Sequence, residues 1–246
     1  MQTNDPLALY DTTRARLRVA IADRLPDGVD PETFCAETAY WICLAVTARG
    51  ERWEAAFCKY SDAAMLAETA GDAESVRREL DLMRRELAQA RGPVLDVGAG
   101  WGRMAALYAQ AGLAAYYAEP AALGTQLMRR AEIRRVVRAK GEALPFPAGA
   151  FHTTVIGWVL HHDSGDVDAA CIVREAARVT APGGQLLSVE PLDARFDQTK
   201  WTSLLTGAGF EVRRVEVFCE RAKSQDEVSH YALLVGARRG RAAHIN

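Results

Sequence analysis

Asp96 lies inside a short apolar run, Val94-Leu95-Asp96-Val97, and the run leads at once into Gly98-Ala99-Gly100-Trp101-Gly102-Arg103. An acid at the carboxyl end of a buried strand faces the crevice where open α/β sheets bind ligands; there it repels a pyrophosphate and attracts an ammonium group. The glycines permit positive φ and close backbone approach before Met104 begins a helical pattern. A dinucleotide-binding loop reads G-x-G-x-x-G, and the sixth position here is Arg103, so the pyrophosphate version fits poorly. His161 and His162 are the second pair of candidates. They end the apolar run that starts at Phe151, at an edge where a base for proton transfer belongs, and only one of two adjacent side chains can face the crevice.

These residues need elements to hold them, and the hydrophobic pattern supplies two regions. Residues 1–92 read as an all-helical cap. Asp11 is placed as the N-cap of a helix carrying Ala15, Leu17, Ala20, Ile21 and Leu25, closed by Pro26-Asp27-Gly28. Asp30 with Pro31 starts a second, apolar nearly all round from Phe34 to Val46 and so covered on more than one side. A third presents Trp53, Phe57, Tyr60 and Ala64 and stops near Gly71, and a fourth, capped by Asp72, carries Val76, Leu80, Met83 and Leu87.

From residue 93 to 239 strands and helices alternate, which favours a mostly parallel sheet covered on both faces. Strands are expected near 93–97, 114–119, 134–138, 153–159, 184–190, 209–217 and 228–236, and helices near 102–112, 121–131, 166–180 and 198–208. The polar stretch Glu220 to Glu227 leaves no room for a crossover helix, so the last two strands are expected to pair antiparallel. The basic tail, 240–246, is read as solvated.

From Pro93 to Arg239 the chain resembles the class I methyltransferases that use S-adenosylmethionine (SAM), in particular the methyltransferase-11-like small-molecule branch. Four stretches carry the resemblance: the glycine loop; Ala114-Ala115-Tyr116-Tyr117-Ala118-Glu119-Pro120; Gly141-Glu142-Ala143-Leu144-Pro145-Phe146-Pro147 with the run Phe151 to His162; and Glu175 to Gly184. It implies a Rossmann-like seven-stranded α/β sheet, last strand antiparallel, behind the helical cap. It also implies that Asp96, Gly98, Ala99 and Gly100 lie by the amino-acid part of SAM, that Glu119, next to Pro120, binds both ribose hydroxyls, and that Gly141, Glu142 and Ala143 border adenine. Gly157 and Trp158 complete the cofactor site, and a histidine of the pair borders the active site. Lys140 stands where the branch usually has an acid before the adenine loop, and His152 replaces the acid of a Phe-Asp pair; His152 is read as structural, and Glu142 as the substitute partner for adenine.

The aromatic surface of the cap is expected to choose the acceptor. Tyr10, Tyr40 and Trp41, with Trp158 and His162, are the candidate substrate contacts for a small apolar or aromatic molecule. The expected activity is methyl transfer to an O, N or C atom of such a metabolite, in secondary metabolism, with S-adenosylhomocysteine as coproduct. A second reading is a methyltransferase-fold partner subunit or a cyclase-like catalyst, and a third, a dinucleotide-dependent oxidoreductase, is opposed by Arg103 and Asp96. Formal charge is −2, which argues against nucleic-acid or membrane partners. The polar start Met1 to Asp5 is unlike a signal peptide, and a cytoplasmic location is expected. Five scattered cysteines without a C-x-x-C pair favour reduced thiols and no metal. Monomer and homodimer fit the sequence equally.

Overall fold

In a computed structural model the described residues are 5–21, 23–25, 30–162, 167–222 and 228–239. Four helices come first: α1 (Pro6–Ile21), α2 (Pro31–Arg49), α3 (Trp53–Tyr60) and α4 (Ala63–Leu87). Asp30 caps α2, its side chain accepting from Thr33 N–H, with Pro31 in the first turn, and Gly50 closes the helix in the left-handed region. Two expectations for this region are corrected. Asp11 lies inside α1, which begins at Pro6 with Asp5 accepting from Leu7 N–H, so Asp11 caps nothing. The third helix ends at Tyr60, and Gly71 and Asp72 fall within α4. One glycine costs a helix only about 1 kcal/mol, less than the packing of α4's apolar stripe returns. Pro26 to Gly28, Asp163 to Asp166 and the tail lie outside the described residues.

The sheet is built from β1 (Val94–Val97), β2 (Ala115–Ala118), β3 (Val136–Val137), β4 (Phe151–Gly157), β5 (Thr180–Leu192), β6 (Phe210–Ala222) and β7 (Val228–Arg238). Helices α5 (Ala105–Gln110), α6 (Ala122–Arg130), α7 (Ala169–Val179) and α8 (Gln198–Gly207) complete it. The strand order is β3-β2-β1-β4-β5-β7-β6, with β7 antiparallel to both neighbours and the rest parallel. Every residue of β1 is buried, as a central parallel strand requires.

Alternation along β1 divides the core. Leu95 and Val97 pack with α7 and α8, including the fully buried Trp201, whose indole donates to Ser188 Oγ at 3.1 Å. Val94 packs on the other face with Tyr108 and Met128, and with Met83 and Leu87 of α4. Thus α4 shares the core of the sheet, whereas α1, α2 and α3 form a third core that rests on Leu123 and Leu127 of α6. Among the described residues no helix is long and apolar enough to cross a membrane.

Candidate functional site

The carboxyl edges of β1, β2, β4 and β5 meet under α2 and α4, and the chemistry-bearing residues collect there. After β1 the chain turns through Gly98 (φ +73°), where a Cβ would lie 2.4 Å from Val159 Cγ2; only glycine lets the turn and the end of β4 approach so closely. Glu119, immediately after β2, holds this turn in place. Its Oε2 accepts from Gly100 N–H at 2.8 Å, and its Oε1 accepts from Ala121 N–H at 2.8 Å. Burial, which outweighs these two hydrogen bonds, with Asp96 nearby, pushes its carboxyl up to about 7.

Asp96 is buried on the same face as Val94, and the Tyr108 hydroxyl donates to its Oδ2 at 2.9 Å. Burial pushes its carboxyl up to about 6, against the opposing pull of Tyr108 and Arg103. The acid bonded to the glycine turn is therefore Glu119, while Asp96 is anchored to α5.

A cleft of about 100 Å³ runs beside Glu119's strand end, lined by Val97, Gly98, Pro120, Lys140, Gly141, Glu142, Val159, Val167 and Ile172. A Cβ on Gly141 would stand 3.1 Å from both Ile172 Cγ1 and Val97 Cγ1, so glycine lets this loop pack directly on β1 and α7 along the cleft. Glu142 turns to α7, its Oε1 accepting from Asp168 N–H at 3.2 Å, while Asp168 caps that helix through Cys171 N–H. Next to Ala143, Leu144 N–H is held by Glu175, itself locked to Arg178.

At the end of β4, Trp158 adopts positive φ (60°) and the chain enters a 3-10 turn over Leu160–His162. A fully buried acid organises it: Glu190 of β5 accepts from the N–H groups of Val159, Leu160 and His161, and its Oε2 lies 2.8 Å from His161 Nδ1. The two histidine rings lie tilted against each other, their centroids 3.8 Å apart. His162 is pushed down to about 4, mainly by burial, with His161 and Arg49 adding repulsion.

Over the turn sits the cap. Tyr40 of α2 approaches Gly100 and packs on Trp101 with centroids 4.8 Å apart, and Trp41 meets both rings edge-on. Tyr10 is apart from them, buried in the cap core beneath Arg130, and Trp53 donates to Thr13 in that same core. Of the cap aromatics named from sequence, Tyr40 and Trp41 thus reach the glycine turn, and Tyr10 packs. Exposed His152 lies at the start of β4, at the opposite edge of the sheet.

Three participants escaped sequence reasoning. Glu190 is an acid at the end of an apolar strand, and its position before Pro191 was the available signal. Glu79 hides among the charged residues of α4. It is fully buried, and Arg103 donates to it through both Nη atoms, at 2.7 and 2.8 Å. Trp158 faces the guanidinium at 5.5 Å, and its buried indole N–H approaches Glu79 without closing a well-formed hydrogen bond. Arg103, read at first only as a misfit to a dinucleotide loop, is the cation of this cluster.

This strand order, with a glycine turn after β1 and a buried acid after β2, is that of the Rossmann-like class I methyltransferase fold, the class whose cofactor is SAM. Residues 95–188 match the family model described as a methyltransferase domain. Among solved structures, a putative methyltransferase from Bacillus halodurans is 19% identical, with 65% of this chain and 98% of that one covered at a TM-score of 0.53. The geranyl diphosphate C-methyltransferase from Streptomyces coelicolor, solved with Mg2+, geranyl diphosphate and S-adenosylhomocysteine, is 14% identical over 70% of this chain and 81% of that one, TM-score 0.55. The [4+2]-cyclase SpnF is 19% identical over 65% and 81%, TM-score 0.54. At these identities the likeness is one of fold. No curated protein sequence matches the chain.

The residues present fit the adenosine half of SAM. The cleft beside Gly141 has apolar walls in Val97, Val159, Val167 and Ile172 for a planar base, and Glu119 puts a buried carboxylate beside it for hydroxyl groups.

Proposed function

We propose that the protein is a cytoplasmic SAM-dependent methyltransferase that moves a methyl group to an O, N or C atom of a small apolar or aromatic metabolite, in secondary metabolism. The observation that carries this reading is Glu119: a carboxylate buried after β2, bonded to the glycine turn, beside the apolar cleft that Val97, Gly141 and Ile172 line. SAM when bound supplies an electrophilic methyl on a sulfonium; the chain's part is to align, to exclude water and to manage a proton. Glu119 and the cleft beside Gly141 hold the adenosine, and Tyr40, Trp41 and Trp101 cover the glycine turn. No nucleic acid or membrane takes part.

In the same reading His161 is the base. With its Nδ1–H donated to Glu190, the neutral ring keeps a lone pair on Nε2 for an acceptor hydroxyl or amine. His162, held neutral and weakly basic, lines the site instead.

The alternative, a methyltransferase fold serving as partner subunit or cyclase, is favoured by Lys140, which cannot accept from an adenine amino group. Calorimetric titration with S-adenosylhomocysteine decides first. Micromolar binding that Glu119→Ala weakens about 10-fold or more, the usual worth of charge-assisted hydrogen bonds, supports the cofactor site. Absence of binding to the wild-type protein removes it.

A further inference from the structure

The buried pair Arg103–Glu79 is unusual in its placement. Ion pairs inside proteins return little net stability, because both charges must be taken out of water. This one joins the glycine turn to α4, a helix that precedes the methyltransferase domain, at the floor of the candidate site. A Cβ on Gly157, the last residue of β4, would lie 3.4 Å from Arg103 Nη2 and 3.6 Å from Glu79 Oε1, so the pair lies against the carboxyl end of β4. Glu37 of α2 and Asp96 also lie within electrostatic reach of Arg103, and Glu190 within reach of Glu79. One cation thus stands among several carboxylates, and its planar fork is engaged by one of them.

The cofactor that the preceding reading places here ends in an α-amino acid, one carboxylate and one ammonium group. A guanidinium fork is the side chain best matched to a carboxylate, and a surplus of buried acids is matched to an ammonium and a sulfonium. We propose that Arg103 is the receptor for the cofactor's carboxylate and that Glu79, carried on α4, is an internal surrogate for it, displaced when the cofactor's amino-acid end arrives. The exchange breaks one bidentate carboxylate–guanidinium contact and makes another, so the charge on Arg103 stays paired. Glu79 is left beside the incoming ammonium, and α4 reports whether the amino-acid end is in place.

This inference rests on the SAM reading, and the test separates the two. Two probes are titrated calorimetrically: S-adenosylhomocysteine, and 5′-methylthioadenosine, which keeps the nucleoside and thioether but lacks the amino-acid end. For Glu79→Gln the expected result is binding of S-adenosylhomocysteine several-fold tighter than wild type, because its competitor is gone, with 5′-methylthioadenosine changed less than about two-fold. Arg103→Gln leaves Glu79 buried without its partner and risks unfolding. The double variant Arg103→Gln/Glu79→Gln, which removes both charges, therefore carries the second arm. It is expected to lose about 10- to 100-fold in S-adenosylhomocysteine affinity, the worth of a bidentate charged contact, and almost none for 5′-methylthioadenosine. Weaker S-adenosylhomocysteine binding by Glu79→Gln, or equal losses for both probes in the double variant, overturns the proposal and makes the pair a structural tie. If neither probe binds the wild-type protein, the SAM reading itself fails and takes this one with it.

Discussion

Replacing Glu119 by glutamine removes a titrating group whose ionisation the fold opposes. The wild-type carboxyl titrates near 7, against about 4.5 when exposed. For an acid whose pKa is raised on folding, the contribution to stability is intact below the unfolded value and is lost as pH rises through the folded one. Between about pH 5 and pH 8 the wild-type protein therefore loses about 2–3 kcal/mol through this group. Glutamine carries no such loss, but it has its own cost. Its single carbonyl can accept from Gly100 N–H or Ala121 N–H but not from both, and the amide NH2 then confronts the other donor. That mismatch is worth about 1–3 kcal/mol and does not depend on pH. The quantity to measure is thus the difference between the two proteins, from urea unfolding followed by tryptophan fluorescence at the two pH values. The stability of Glu119→Gln relative to wild type should rise by about 2–3 kcal/mol from pH 5 to pH 8. Curves that stay parallel within about 0.5 kcal/mol would refute the buried-acid reasoning, whatever the sign of their offset.

Removing the Tyr108 hydroxyl with Tyr108→Phe takes away the hydrogen bond to Asp96; a loss of about 1–2 kcal/mol is expected in urea unfolding at pH 8, where Asp96 is ionised, and a smaller one near pH 5. His162 should stay neutral in the folded protein down to about pH 4, so its ring protons, followed by NMR, should not shift between pH 7 and pH 5.5; a midpoint near 6.5 would contradict the depression by its surroundings. The same depressed value means that stability falls as pH drops from 6.5 towards 4, since the unfolded chain binds the proton first, and His162→Gln should flatten that part of the profile. Trp201→Ala, fully buried, should cost about 3–5 kcal/mol of stability in urea unfolding.

The sheet was legible in the sequence because its signal is local. The apolar run of β1, the glycines after it and the alternation of strands with helices each follow from a few adjacent residues, and the polar stretch before β7 was enough to predict its antiparallel pairing. The cap was harder. Asp11 and Asp72 looked like caps because acids at helix starts commonly are, yet the first helix reached back to Pro6 and the last ran through Gly71, since packing over a whole helix outweighs one residue's preference. Among the chemical groups, Glu119 was visible because its distance from the glycine turn is set by one helix and one strand. Glu190 and Glu79 were not. Each acquires its partner across a long loop of chain, His161 for one and Arg103 for the other, and sequence spacing carries no trace of that.

The buried acids share one consequence. Glu119, Asp96 and Glu79 all have carboxyls raised by desolvation, and Arg103 is the cation paired with Glu79. A fold selected for stability alone would place apolar side chains there, because uncompensated buried carboxylates lower stability near neutral pH. Arg103 already offsets that cost for Glu79; for Glu119 and Asp96 an entering cation does so, and a sulfonium with an ammonium group a few bonds away is such a ligand. Its binding should therefore pull these carboxyls back down and release protons, most strongly near pH 6–7, where Asp96 and Glu119 are partly protonated. Calorimetry of SAM binding in buffers of different ionisation enthalpy reads that release directly. S-adenosylhomocysteine, which lacks the sulfonium charge, should release fewer protons than SAM, and equal release by both would place the acids too far from the sulfur to sense it.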